Sequence, residues 1–146
     1  MRWKMIDFEG LLKRLEDAEL GKIGTTLTVN TMPISVTKGI CLRSNISGDE
    51  INYEIPGLGR GQYRIITRAS SAEASKQLLL KAIDALGVNG QIEEIGSMRV
   101  RYNRPITTPM TFPVSDGNLR ESSVNMKICY EFDTSEFPWL DPSNRQ

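Results

Sequence analysis

Apolar side chains recur along this chain with two periods, and the switches between them outline its elements. Near the start, Phe8, Leu11, Leu12 and Leu15 repeat at i, i+3, i+4 and i+7. That spacing predicts an amphipathic helix, with Asp7 as its cap and Gly21 as its stop. Residues 25–30, TTLTVN, are β-branched and alternating, which predicts a short strand. Residues 31–60 hold a weak strand around GICLR, turn chemistry at Asn45, Gly48 and Asp49, and a second extended piece at INYEIP. From Gln62 to Ala69 the alternation is clean: Tyr63, Ile65, Thr67 and Ala69 share one face, and Arg64, Ile66 and Arg68 the other. Ser70 with Glu73 reads as a capping box. The helix behind it carries Leu79, Ala82, Ile83 and Leu86 on one side and stops at Gly87.

The pattern then returns to period two. QIEEIGSMRVRYN predicts one strand, with Met98, Val100 and Tyr102 opposite Arg99, Arg101 and Asn103. Pro105, Pro109 and Pro113 keep the next stretch extended and confine any strand in it to a sheet edge, because proline has no amide to donate. Asp116-Gly117 marks a tight turn. In the last strand Val124, Met126, Ile128, Tyr130 and Phe132 alternate with polar or small positions. Two amphipathic helices and these strands predict an α+β domain: a mostly antiparallel mixed sheet of four to six strands with both helices on one face. The domain is expected to span residues 1–133, with residues 134–146 as a C-terminal tail. Phe137, Trp139 and Leu140 would be unusual in a merely solvated tail, so they are candidate contact residues.

Composition narrows the chemistry. The 146 residues carry 18 basic and 18 acidic side chains and no histidine. The commonest general base and metal ligand is therefore missing, and with it every Ser-His or Cys-His pair. Cys41 and Cys129 are far apart and outside any CxxC spacing, which fits two reduced, buried thiols. Apolar runs are too short to span a bilayer, and the N-terminus reads as an amphipathic helix and not as a signal peptide. Adjacent carboxylates such as Asp49-Glu50 and Glu93-Glu94 diverge and lack metal-ligand spacing. The reading is a non-enzyme without catalytic, metal-binding or cofactor-binding residues. Gly57, Gly59 and Gly61 do not alter it: a phosphate loop needs a helix N-terminus directly after its glycines, and here a strand follows. They read as a flexible hinge ahead of that strand.

Arginine is the remaining signal. Arg60, Arg64 and Arg68 point to one side of their strand segment; Arg99 and Arg101 share a face of another, and Arg104 follows. If the two strands are neighbours, their polar faces form one basic patch. A solvated face with scattered ion pairs, an inter-subunit surface and a nucleic-acid contact all fit this pattern.

Several segments together resemble the tail terminator proteins of long-tailed bacteriophages, a family also described as minor capsid proteins. The likeness rests on the order and spacing of Val29-Asn30-Thr31-Met32-Pro33, Tyr53-Glu54-Ile55-Pro56-Gly57, the strand-to-helix passage Ile65–Leu86, Arg104-Pro105, Phe112-Pro113 and the strand opening at Glu121-Ser122-Ser123-Val124-Asn125. It covers roughly residues 5–132. The resemblance implies a homohexameric ring in the neck of the virion that caps the tail tube, stops its polymerisation and meets the head connector, after assembly in the host cytoplasm. The implied partners are further copies of the chain, the tail tube protein and a connector or head-completion protein, with DNA crossing the lumen and no membrane. Under this reading Arg60, Arg64, Arg68, Arg99, Arg101 and Arg104 face a neighbouring subunit or the lumen. Met32, Pro33, Leu58, Pro109 and Phe112 are the candidates for ring-to-ring contact. A head-completion protein and a small nucleic-acid-binding module are the alternatives.

Overall fold

The computed structural model describes residues 6–113 and 118–140, and the turn expected at Asp116-Gly117 lies outside them. Helix α1 (Phe8–Asp17) buries Phe8, Leu11, Leu12 and Leu15, the four residues of the apolar stripe. The Asp7 carboxylate accepts a hydrogen bond from the Gly10 amide, which caps the helix. The helix ends earlier than Gly21 predicts. Glu19 takes the left-handed turn at φ 62°, and the Leu20 amide reaches back to the Leu15 carbonyl.

Strands β1 (Leu27–Val29), β2 (Gly39–Ser44) and β3 (Leu58–Ala69) come next, then α2 (Ala72–Leu86). Strands β4 (Glu93–Ile95), β5 (Met98–Pro105), β6 (Met110–Pro113) and β7 (Arg120–Glu131) complete a seven-stranded sheet in the order β1-β2-β3-β7-β5-β4, with β6 also on β7. Only β1 and β2 pair in parallel; every other pairing is antiparallel. The fold is therefore α+β as expected, with one strand more than the upper bound. The extra strand arises because QIEEIGSMRV is a hairpin and not one strand. Ile95 pairs Met98 across a two-residue turn, where Gly96 adopts φ +58°.

One hydrophobic cluster joins both helices to one side of the sheet. It takes Leu11 and Leu15 from α1, Leu79 and Leu86 from α2, and Leu42, Ile65, Met126 and Ile128 from the strands. Helix α2 is capped by Ser71 and not Ser70: the Ser71 hydroxyl accepts from the Ala74 amide. Two other local expectations change for physical reasons. INYEIP is a turn and not an extended piece, because the Asn52 side-chain carbonyl accepts the Glu54 and Ile55 amides and curls the chain. The glycines are not a hinge. Gly59 and Gly61 lie inside β3, and a Cβ at Gly59 would overlap the Tyr130 ring, 2.7 Å from its hydroxyl oxygen. The strand needs glycine there so that Tyr130 can lie against its backbone.

Candidate functional site

Strand register defines the sheet face turned away from the helices. Across it runs a series of rows, one residue from each strand. The row Arg68–Glu121–Phe112 stands at one end, followed by Cys41–Ile66–Ser123–Met110 and then Arg43–Arg64–Asn125. Beyond them come Gln62–Lys127–Arg104, Arg60–Cys129–Tyr102 and Leu58–Glu131–Arg99. Among the described residues no helix covers this face. Arg43, Arg60, Arg64, Arg99, Arg101 and Arg104 are all exposed.

Its charges are unevenly matched. Arg101 Nε lies 3.1 Å from Glu131 and Arg99 3.9 Å from the same carboxylate. Arg64 donates to the Asn125 side-chain carbonyl at 3.0 Å, and the Arg104 guanidinium stacks 4.3 Å from the Tyr102 ring centroid. Among the described residues Arg43, Arg60, Arg64, Arg104 and Lys127 form no ion pair. The far end of the face is apolar instead: Met110 and Phe112 point outward from β6, at 66% and 39% exposure.

The expected patch is thus present but built differently. Strands β3 and β5 are not neighbours; β7 runs between them and adds Lys127. A bulge between Val100 and Tyr102 inverts the alternation assigned to β5. Tyr102 turns outward beneath Arg104, while Asn103 turns into the core, accepting from the Tyr63 hydroxyl at 2.8 Å and donating to the Leu86 carbonyl at 2.9 Å. Burial pushes the Tyr63 hydroxyl's pKa well up, so it serves here as a neutral donor. Arg68 differs from the other arginines. It is buried, pairs with Glu121 at 2.8 Å, and donates to the Pro33 and Val36 carbonyls at 2.8 and 3.0 Å. Its charge holds the 31–38 loop onto the sheet within one subunit.

A second surface opens on the helix side. A groove of about 890 Å³ is lined by Phe8 and Leu12 of α1, by the 48–52 loop, and by Leu58, Tyr130 and Phe132. Two 3₁₀ turns follow, Thr134–Glu136 and Pro138–Leu140, and Phe137, Trp139 and Leu140 close one wall. Phe137 and Leu140 are buried; Phe137 meets Phe132 and Trp139 edge-on at 5.8 and 5.9 Å, and Trp139 keeps 39% of its surface exposed. Residues 134–140 therefore pack onto the sheet and do not trail from it. The groove's rim carries three acids, Glu9, Asp49 and Glu50, and one cation, Arg60, where it borders the arginine face.

Of the other candidate residues, Leu58 lines this groove, while Pro33 is exposed and Met32 half-buried on the loop that Arg68 holds. Pro109 is half-buried just before β6. Sequence reasoning missed Arg43 and Lys127, although both stand on strands it identified, because membership of a common face depends on strand order. It also missed Ile34 and Ile46, which are 72% and 99% exposed in loops. Among the described residues no cluster of carboxylates and thiols has the geometry to hold a metal ion.

These features describe a domain whose distinctive residues lie on faces and rims. A profile of the bacteriophage tail terminator proteins matches residues 14–132, and the chain belongs to that family. It is a structural protein of the phage tail. A solved structure of a native gene transfer agent particle contains a chain of the same fold. That chain is 16% identical, with a TM-score of 0.57 over 83% of this protein and 91% of its own length. A second solved chain, 14% identical over 86% and 94% of the two lengths, has a TM-score of 0.49, too loose a likeness to carry an argument. No curated protein matches.

Proposed function

We propose that this protein forms a closed ring of identical subunits at the head-proximal end of the tail tube, ends tube polymerisation and joins the tail to the head connector. Six subunits is the number the family resemblance implies. The observation that carries the reading is the sheet face opposite the helices, which combines five cations that have no ion pair among the described residues with the outward Met110 and Phe112. Exposed apolar side chains beside arginines are the composition of a protein contact surface. A ring is a heterologous assembly, in which one patch meets a different patch on the next subunit, and a chain with two unlike surfaces suits it. The loops bearing Met32, Pro33, Ile34 and Pro109 are the proposed contacts to the tube or the connector. Trp139, half-exposed beside the groove, is a further contact candidate.

Negative-stain microscopy of the purified protein, alone and added to polymerising tail tube protein, tests the proposal. The expected result is rings with rotational symmetry and tubes whose growth stops at one end. Solitary subunits at every concentration, with tube growth unaffected, would overturn it.

A further inference from the structure

The unmatched charge on the sheet face has a counterpart elsewhere on the same chain. Formal net charge is zero, yet Arg43, Arg60, Arg64, Arg104 and Lys127 lie together without carboxylate partners among the described residues. The balancing acids collect on the helix side. Glu9, Asp49 and Glu50 rim the groove, Glu54 follows in the same exposed loop, and neither Glu50 nor Glu54 has an ion pair among the described residues. The groove floor contains Tyr130 and Phe132, from the core-side alternation of β7, and the groove meets the arginine face along one edge, where Leu58 and Arg60 line it.

We infer that the arginine face of one copy seats on the acid-rimmed groove of the next, and that this pairing is the ring's subunit contact. The inference rests on the ring reading above and names its two halves. Three considerations favour a second copy as the occupant. Opposite signs on two distinct surfaces of one subunit fit head-to-tail packing, whereas a two-fold contact through either surface would bring like charges together. The apolar side chains match as well: Met110 and Phe112 share the arginine face, and the groove floor is aromatic and aliphatic. Duplex DNA would match the cations alone. Glu131 stands among them, and Tyr102, already stacked under Arg104, offers no free ring for a base.

Paired charge reversals test this. The double variants Arg43→Glu/Arg64→Glu and Glu50→Arg/Glu54→Arg alter exposed side chains, and circular dichroism with thermal melting checks that each is folded. Sedimentation velocity across a concentration series, at about 0.05 M and 0.5 M salt, measures assembly. Each variant alone should raise the concentration for half-assembly by about tenfold or more at low salt, and by less at high salt. Mixed in equal amounts, the two variants present complementary faces and should recover assembly to within about threefold of the parent. An alternating ring of that kind needs an even number of subunits.

Parent-like assembly of either variant alone, or no recovery in the mixture, would overturn the pairing. So would salt-dependent retention of duplex DNA by the parent that is lost in Arg43→Glu/Arg64→Glu but kept in Glu50→Arg/Glu54→Arg; that result would assign the face to nucleic acid. A parent that never assembles removes the ring reading itself. Rings indifferent to both reversals remove only this contact.

Discussion

Replacing Arg68 with methionine should destabilise the subunit more than any other arginine substitution. The side chain is 8% exposed and its partner Glu121 17% exposed, so both charges have little water to fall back on. Methionine keeps the volume of the stem and removes three directed contacts: the ion pair at 2.8 Å and the donations to the Pro33 and Val36 carbonyls. Removing one partner of a buried pair costs about 3–5 kcal/mol, because the other charge is stranded. Glu121 is not fully buried and Pro33 is exposed to water, which places the expected loss near the lower end, at about 3 kcal/mol. For a domain of this size that corresponds to a fall of roughly 10 °C in Tm. Urea denaturation followed by circular dichroism measures it. The companion variant Arg68→Met/Glu121→Met should recover at least about 1 kcal/mol, since it removes the stranded charge. The same substitution should release the 31–38 loop and speed tryptic cleavage after Lys38. A loss below about 1 kcal/mol, with cleavage unchanged, would refute the claim that Arg68 holds this loop.

Three further outcomes follow from the core. Gly59→Ala should cost about 1–3 kcal/mol in denaturant midpoint, because the new methyl meets the Tyr130 ring; Tyr130→Leu in the same chain should recover part of it. Asn103→Leu should cost about 1–3 kcal/mol by stranding the Tyr63 hydroxyl and the Leu86 carbonyl, and adding Tyr63→Phe should make the second change cheaper than it is in the parent, as a double-mutant cycle would read. Cys41 and Cys129 are free but buried, and burial pushes the Cys41 thiol's pKa up, so a thiolate-directed reagent at neutral pH should label neither until the protein unfolds. Stoichiometric labelling of the native protein by mass spectrometry would contradict that burial.

Where the chain carries its own period, the elements were legible. Strand β7 follows from the alternation of Val124, Met126, Ile128 and Tyr130, and α2 from Leu79, Ala82 and Leu86 with a serine cap one residue later than expected. What failed depended on a partner. Gly59 and Gly61 look like a loop in isolation because glycine is a poor strand former; Tyr130, more than sixty positions on, makes glycine necessary at 59, and the Asp49 carboxylate and Ile6 crowd position 61. The bulge in β5 arises from its pairing with β7, so nothing local announced that Asn103 would turn inward and Tyr102 outward. The groove was illegible for the same reason. Its walls come from α1, the 48–52 loop and the C-terminal turns, joined only when the excursion folds over the sheet. Five of the six candidate arginines lie exposed, but Arg68 is indistinguishable from Arg64 by spacing. What separates them is the 31–38 loop, which covers one and not the other.

The same rows of residues carry an energetic argument about why this surface exists. Arg43 and Arg64 are directly paired across β2 and β3, and Lys127 and Arg104 across β7 and β5. Like charges in such positions repel, and they weaken the lone subunit by roughly 0.2–1 kcal/mol per pair. Met110 and Phe112 likewise remain in water on an edge strand with a free side, where prolines at both flanks limit further strand pairing. None of this helps a solitary domain fold. Each feature becomes favourable when a surface bearing carboxylates and apolar side chains covers the face, because repulsion turns into attraction and apolar area leaves water together. Stability withheld from the monomer is then returned on assembly. In the proposed ring, a subunit that folds first and closes the ring afterwards would gain specificity from that order of events, because these contacts would stay unsatisfied until the correct neighbour arrives.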